Sequence, residues 1–505
     1  MKDTKEIERL KKCHPSYMPL VKKWKFFESA YEGGPEFANI TNLAKHVREN
    51  TDDFNDRGDR LHYLNYCETL VNFFANFIFN DPITRHLKDD GEEIENIALD
   101  VSLRKEPADK FMKEVCIDMH IYGESFILVD GPELPEHIVS EYERKLNNIR
   151  PYWVLVKPYE ICDWRKDKFG NFIYVKRYVD NGDGSGTYYE YTNDDIKITE
   201  VATNTNGELE IILSKNVINS LKKIPFVHVL LKESRLYPGK GISFLNDLAY
   251  NNREILRLTS VLQEFLYKQC FNFLVKENGE TVETGGDVEI GSSNVMTIPA
   301  GAKFPQYVSP PVDPARELAN ERALIKNEMF IRAAQDAMKE MFNGVSASGF
   351  SQAQSFYKTI PFISSRAEIL ETAENELFEL TCLYLNRAFM GSIKYKDRYE
   401  ITSLTDALTQ FSALVKDLQM PSEEFVKHQL KRLAREYDGK MPIDVLNKVL
   451  DDIDNMDFTS WSQSVQTNST SPLAQQKNKQ SGTMEEIVNE SNNGRPAATS
   501  RVRQK

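Results

Sequence analysis

The stretch KEMFNGVSASGFSQAQSFYK, Lys339–Lys358, breaks a helical pattern and then restarts it. The break, Asn343–Gly349, holds two glycines, two serines and almost no bulk. A loop inside a domain is usually anchored by a large side chain. This one is built to move, or to pass close to something. Its meaning depends on what flanks it. On the N-terminal side, VDPARELANERALIKNEMFIRAAQDAMKEMF predicts a helix of roughly 45 Å, with Pro314 in its first turn. Earlier, ISFLNDLAYNNREILRLTSVLQEFLYK predicts another of roughly 40 Å, with Ile255, Leu258, Leu262 and Phe265 in one stripe. Gln269–Pro311 lies between them, with strand-like FNFLVK and VMTIPA among glycines and a terminal Pro310-Pro311. Two helices of matched length around a small β insertion should run down and back up. After the break, FSQAQSFYKTIPFISSRAEILETAENELFELTCLYLNRAF reads as a third long helix, kinked by Pro361.

Composition bounds the rest. The chain has 505 residues, 41% hydrophobic and 28% charged, with a formal net charge of −13. That balance argues against a surface that grips nucleic acid through clustered Lys and Arg. It allows one that lets nucleic acid pass. The apolar run LVNFFANFIF is too short to cross a membrane, and the charged N-terminus lacks the apolar core of a signal peptide. The cysteines (Cys13, Cys67, Cys116, Cys162, Cys270, Cys382) are far apart and form no CxxC pair, which reads as buried thiols in a reducing compartment.

The elements follow in order. Residues 1–110 read as mostly helical; LNYCETLVNFFANFIFNDP spaces Leu70, Phe73, Phe74, Phe77 and Ile78 along a core helix that Pro82 ends. YGESFILVDG switches to strand composition. From about Tyr152 to Lys232 the chain is β-rich, and Tyr174–Val179 with Thr187–Thr192 flank a Gly/Asp turn, a hairpin signal. Residues 403–455 predict three short helices. Beyond Trp461 the chain is rich in Ser, Thr, Asn and Gln, a composition that predicts disorder. The fold class expected is α+β, mostly helical.

Chemistry is sparse. YPGKGIS lacks the GxxxxGK[ST] pattern of a phosphate loop, and no histidine falls in HExxH or HxxxH spacing. Cys13-His14 alone is not a zinc site. DNGDGSGTYYE carries Gly182 where a calcium loop needs Asp or Asn, so a hairpin turn is the better reading. Carboxylates such as Asp194-Asp195, or Glu160 with Asp163, leave open a nuclease-like enzyme with a carboxylate or metal site. A helical, non-enzymatic binding scaffold also stays open.

The order of parts resembles the portal protein of tailed bacteriophages. YLNYCETLVNFFANFIFNDPIT is similar to the family's early helix ending in a Pro-Ile pair. MHIYGESFILVD is similar to its helix-to-strand passage. KKIPFVHVLLKE followed by GKGISFLNDLAYNNREILRLTSVLQE resembles the approach to its first stem helix, and SASGFSQAQSFYK the segment before its long kinked helix. The likeness runs over roughly residues 45–455. It implies a wing over 1–240 with a β-rich part at 152–232, a first stem helix at 241–268 and a clip at 269–311. A second stem helix at 312–342, a tunnel loop at 343–351 and a long kinked helix completing the wing at 352–402 would follow. A helical crown would occupy 403–460, and a disordered tail 461–505.

The same resemblance implies a ring of twelve copies at one capsid vertex of the virion, assembled in the host cytoplasm. The ring is the conduit for double-stranded DNA in packaging and ejection. It has no enzymatic activity, no cofactor, no metal and no membrane association. Its implied partners are the terminase large subunit, the major capsid and scaffold proteins, and a head-completion or tail adaptor protein. Asn343, Gly344, Val345, Ser346, Ala347, Ser348 and Gly349 would face DNA, where the absence of Lys and Arg avoids phosphate contacts that act as brakes. Glu277, Glu280 and Glu283 would form the docking rim of the clip. Lys427, Lys431 and Arg435 fall at i, i+4 and i+8 of SEEFVKHQLKRLAREY, for contact with packaged DNA or as a solvated face paired to acids. On the second long helix, Leu318, Ile325 and Met329 make one apolar row and Leu324, Ile331 and Met338 another. One row can face the subunit's own first stem helix and leave the other for a neighbour.

Overall fold

One strand, Glu124–Asp130, organises the first part of the molecule. Its sequence ESFILVD holds the continuous apolar run Phe126–Val129, as expected of a strand buried on both faces. Ile127 and Val129 enter one hydrophobic core, Phe126 and Leu128 a second. The computed structural model describes residues 2–80, 82–87, 91–131, 144, 149–204, 209–269, 273–275, 306–308, 313–333, 357–396, 399, 423–437 and 443–456. Two units divide the chain, Met1–Glu400 and Ile401–Lys505.

In the first unit the helices are α1 (Lys2–Lys11), α2 (Tyr17–Glu32), α3 (Gly34–Phe37), α4 (Thr51–Asp59), α5 (Tyr66–Ile78), α6 (Glu92–Leu99), α7 (Ala108–Tyr122), α8 (Leu245–Gln269), α9 (Asp313–Arg332) and α10 (Ile360–Tyr384). Its strands are β1 (Thr84–His86), β2 (Glu124–Asp130), β3 (Tyr152–Val156), β4 (Ile161–Lys166), β5 (Phe172–Asp180), β6 (Ser185–Tyr191), β7 (Asp195–Thr203), β8 (Leu209–Ile218), β9 (Phe226–Leu230), β10 (Phe273–Val275), β11 (Gln306–Val308) and β12 (Ser392–Lys394). This is the α+β class. The second unit contains α11 (Glu423–Tyr437) and α12 (Ile443–Asp454).

The larger core gathers α2, α5, α7, α8 and α10 against one face of β2 and β9. Helix α5 contributes Leu70, Phe74 and Ile78, and the side chain of Asn65 caps it by accepting the Glu68 N–H at 3.0 Å. β2 lies between β3 and β9, antiparallel to both. The second core sits between the other face of β2 and the five-stranded antiparallel sheet β4–β5–β6–β7–β8. β5 and β6 pair as the hairpin expected from the sequence, Val179 opposite Thr187 and Asp180 opposite Gly186.

One local reading changes. Pro361 does not kink the interior of a long helix. Residue 357 is helical, Lys358 and Thr359 form a turn, and α10 starts at Ile360 with Pro361 in its first turn. Proline fits there because the first N–H groups of a helix have no internal partner. Phe273–Val275 pairs with Gln306–Val308, bringing together the C-terminal side of α8 and the N-terminal side of α9.

Candidate functional site

Helices α8 and α9 run antiparallel. Arg332, at the end of α9, reaches Asp247, near the start of α8, at 4.0 Å. On α9, Met329 and Phe330 are fully buried and Ile325 packs on the larger core. Leu318 is half-buried. The other row points out: Leu324 is 59% exposed and Ile331 52%. On α8, Ile255 and Leu262 are buried and Leu258 and Phe265 half-buried, while Val261, Leu266 and Tyr267 are exposed. The helix pair is thus rooted in the core on one side and carries large apolar side chains on its surface.

The root of α8 is tightly constrained. Helix α7 ends at Gly123, whose left-handed backbone (φ 85°) turns the chain directly into β2, its N–H on the Met119 carbonyl at 2.9 Å. The segment Lys232–Phe244 returns over this turn. Phe244 N–H donates to the His120 carbonyl at 3.0 Å, and the Ser243 hydroxyl donates to the Ile121 carbonyl at 2.5 Å. The same hydroxyl accepts the Leu245 N–H at 2.9 Å and so caps α8. Gly241 lies against the Gly123 backbone so closely that a Cβ on either residue would overlap main-chain atoms of the other segment.

Beneath this contact is a buried ion network. Glu124 accepts from Lys240 Nζ at 3.0 Å through Oε1, and its Oε2 lies 2.9 Å from His228 Nε2. The Gly241 N–H reaches the same Oε2 at 3.3 Å. Lys240 sits 3.7 Å from the Trp164 ring centroid, with Phe126 at 5.0 Å and Trp24 at 5.3 Å. Lys166 Nζ is 3.2 Å from His228 Nδ1, so Nδ1 accepts and Nε2–H donates to Glu124. Burial works against charge on Glu124, yet Lys240 and His228 hold its carboxyl below the usual range. Burial pushes His228 down to about 4 despite its carboxylate partner. A second buried histidine, His120, is pushed down to about 3 by burial and by Arg366, whose Nε donates to His120 Nε2 at 2.8 Å.

A neutral buried histidine gives a signed pH dependence. The unfolded chain protonates His228 near pH 6.5, the folded chain only near 4, so stability is complete above 6.5 and falls as the pH drops towards 4. His228→Gln, which keeps a donor for Glu124, should remove about 2 kcal/mol of the stability lost between pH 7 and pH 5. Denaturant midpoints at the two pH values measure it. Equal losses in both proteins would mean that His228 does not carry this dependence.

Sequence reasoning set YPGKGIS aside as a phosphate loop, and the structure gives its Lys240 to Glu124 instead. The usable signal was a carboxylate, Glu124, at the head of an apolar strand, which needs a buried cation. In the second unit Lys427 Nζ lies 2.6 Å from Glu423 Oε1 and 2.9 Å from the Asp454 carbonyl, and Lys431 pairs with Asp454 at 2.5 Å. Arg435 lies on the same helix, α11. Asn343–Gly349, Glu277, Glu280, Glu283, Met338 and the tail 461–505 lie outside the described residues. Among the described residues no group of three or more His, Cys, Asp and Glu is placed to hold a metal ion, and no helix is long and apolar enough to cross a membrane.

Residues 8–258 match the family described as phage portal protein, SPP1 Gp6-like. Over these residues the chain belongs to the phage portal proteins. The match takes in the α/β part, the Gly123–Gly241 contact and the first half of α8 of this portal chain. No curated protein matches. Solved structures similar to the portal chain include the virion of a native gene transfer agent particle, at 9% identity and TM-score 0.41, covering 79% of this chain and 96% of that one. The neck of an empty gene transfer agent particle computed with C6 symmetry is similar at 10% identity and TM-score 0.41, covering 77% and 96%. The neck of the native particle computed with C12 symmetry follows at 9% and 0.39, covering 77% and 95%.

Proposed function

We propose that this portal protein is a structural, non-enzymatic component of a virion. Twelve copies would form a ring at one capsid vertex, with double-stranded DNA passing through the centre during packaging and ejection. In this reading α8 and α9 are the stem, residues 269–311 the clip and 343–349 the DNA-facing loop. Glu277, Glu280 and Glu283 dock the terminase large subunit and later a tail adaptor, while capsid and scaffold proteins surround the ring. Lys427, Lys431 and Arg435 are candidates for contact with packaged DNA. Such contact would require Lys427 and Lys431 to exchange Glu423 and Asp454 for phosphate.

The observation that carries the ring is the two-sided character of α9. Met329 and Phe330 are spent on the subunit's own core, whereas Leu324 and Ile331 leave large apolar surface without cover. A neighbouring copy supplies that cover in a closed ring. Twelve copies of a 58.2 kDa chain give a particle of about 700 kDa. Light scattering and particle imaging of the purified chain, alone and with its scaffold protein, should find this ring. Leu324→Asp with Ile331→Asp should leave a folded chain and shift the population to monomer, because both positions are exposed within the subunit. A wild-type chain that stays monomeric or dimeric under both conditions would overturn the reading.

A further inference from the structure

The sequence offers no cysteine pair, but the fold makes one. After α1 the chain runs along the outer side of β4, where His14 N–H donates to the Cys162 carbonyl at 2.9 Å. The residue before it, Cys13, is half-buried, and its thiol faces the Lys11 carbonyl at 3.4 Å. The Cys162 thiol is buried and faces the Lys176 carbonyl at 3.4 Å. Both thiols lie within electrostatic reach of the same groups: Lys176 of β5, Asp163 of β4, Tyr17 of α2 and Tyr188 of β6. Lys176 Nζ bonds the carbonyls of Leu10 and Lys12, which fixes the chain on either side of Lys11 over the sheet. The ring of His14 stacks on Trp164 of the same strand at 4.0 Å. The Cys13 backbone is therefore held next to that of Cys162, one residue from the His14–Cys162 hydrogen bond. A disulfide needs this closeness.

We propose that Cys13 and Cys162 are an oxidisable dithiol, and that their disulfide staples the segment following α1 to the edge of the five-stranded sheet. The oxidant is a disulfide such as oxidised glutathione. The Cys13 thiolate, the more exposed of the two, attacks one glutathione sulfur and releases the first glutathione thiolate. The Cys162 thiolate then attacks Cys13 Sγ in the mixed disulfide and releases the second. The protein loses two electrons and two protons; two glutathiones carry them away. Burial raises both thiols above their ordinary range, so the exchange is slow near neutral pH.

The test uses the full chain in its native assembly. It is incubated with oxidised glutathione, unfolded under alkylating conditions, digested and analysed by mass. The expected product is a Cys13–Cys162 linked peptide, two mass units lighter than its reduced parts. It should be absent from Cys13→Ser and Cys162→Ser, and the oxidised wild type should melt higher than either variant. Both thiols recovered as alkylated residues, or Cys13 recovered only as its glutathione adduct, would overturn the proposal. Since Cys13→Ala and Cys162→Ala are available as second variants, a serine protein that folds poorly does not block the comparison.

Discussion

Gly241→Ala is expected to cost more than about 4 kcal/mol, or to abolish folding of the first unit, although the change adds one methyl group. The added Cβ would overlap the Gly123 carbonyl, and the obstacle is backbone, which cannot rotate away as a side chain could. Relief would require separating the Lys232–Phe244 segment from the α7–β2 turn. That breaks the Phe244 and Ser243 hydrogen bonds and strips the cap from α8. A control isolates the cause. At Gly182 nothing lies within 4 Å of an added Cβ, so Gly182→Ala carries only the strain of a left-handed φ (+80°), a strain that Gly241 does not have, and should cost only about 1 kcal/mol. Chemical denaturation of the two variants measures the difference. Equal stability would show that the Gly123–Gly241 approach can relax.

The second large effect is expected at Lys240. Lys240→Met preserves the length of the side chain between Trp164, Phe126 and Trp24 but leaves Glu124 without its cation. Losing one partner of a buried pair costs about 3–5 kcal/mol, most of it the penalty of an uncompensated carboxylate. Adding Glu124→Gln should recover a large part of that loss, since the amide needs no counter-ion and keeps an oxygen for His228. The double variant then lies nearer to the wild type than Lys240→Met does. If Lys240→Met alone melts like the wild type, the pair does not hold the root of α8.

Much of this fold was legible in the sequence, and the reasons differ by element. The composition of YGESFILVDG showed a strand, but not that both of its faces are buried. The Asp180–Gly186 turn showed a hairpin. The apolar rows of α8 and α9 showed two helices with a buried side each, and the rows of α9 separate in the structure into Met329 inside and Leu324 and Ile331 outside. Periodicity reports which face is covered; it does not name what covers it. For that reason the pairing of Thr84–His86 with Ser392–Lys394, and of Phe273–Val275 with Gln306–Val308, could not be read. The Glu124–Lys240 pair was hidden for the same reason, its members being more than a hundred residues apart. Pro361 was misread because proline is compatible with both a kink and a first turn, and only the hydrogen bonding of the preceding residues decides between them.

The close packing at Gly123 and Gly241 has a mechanical consequence. Helix α8 has 25 residues, so it extends about 37 Å from its root. It is a lever arm, and a tilt of about 5° at the base would swing its tip by roughly 3 Å. The proposed ring of such arms would tolerate little of this, because every copy would inherit the error of its neighbour. Two glycines in main-chain contact, with an ion pair beneath them, leave the pivot almost no angular play. In the ring proposed above, the rigidity that makes a single methyl group intolerable there would let many identical arms point at one axis.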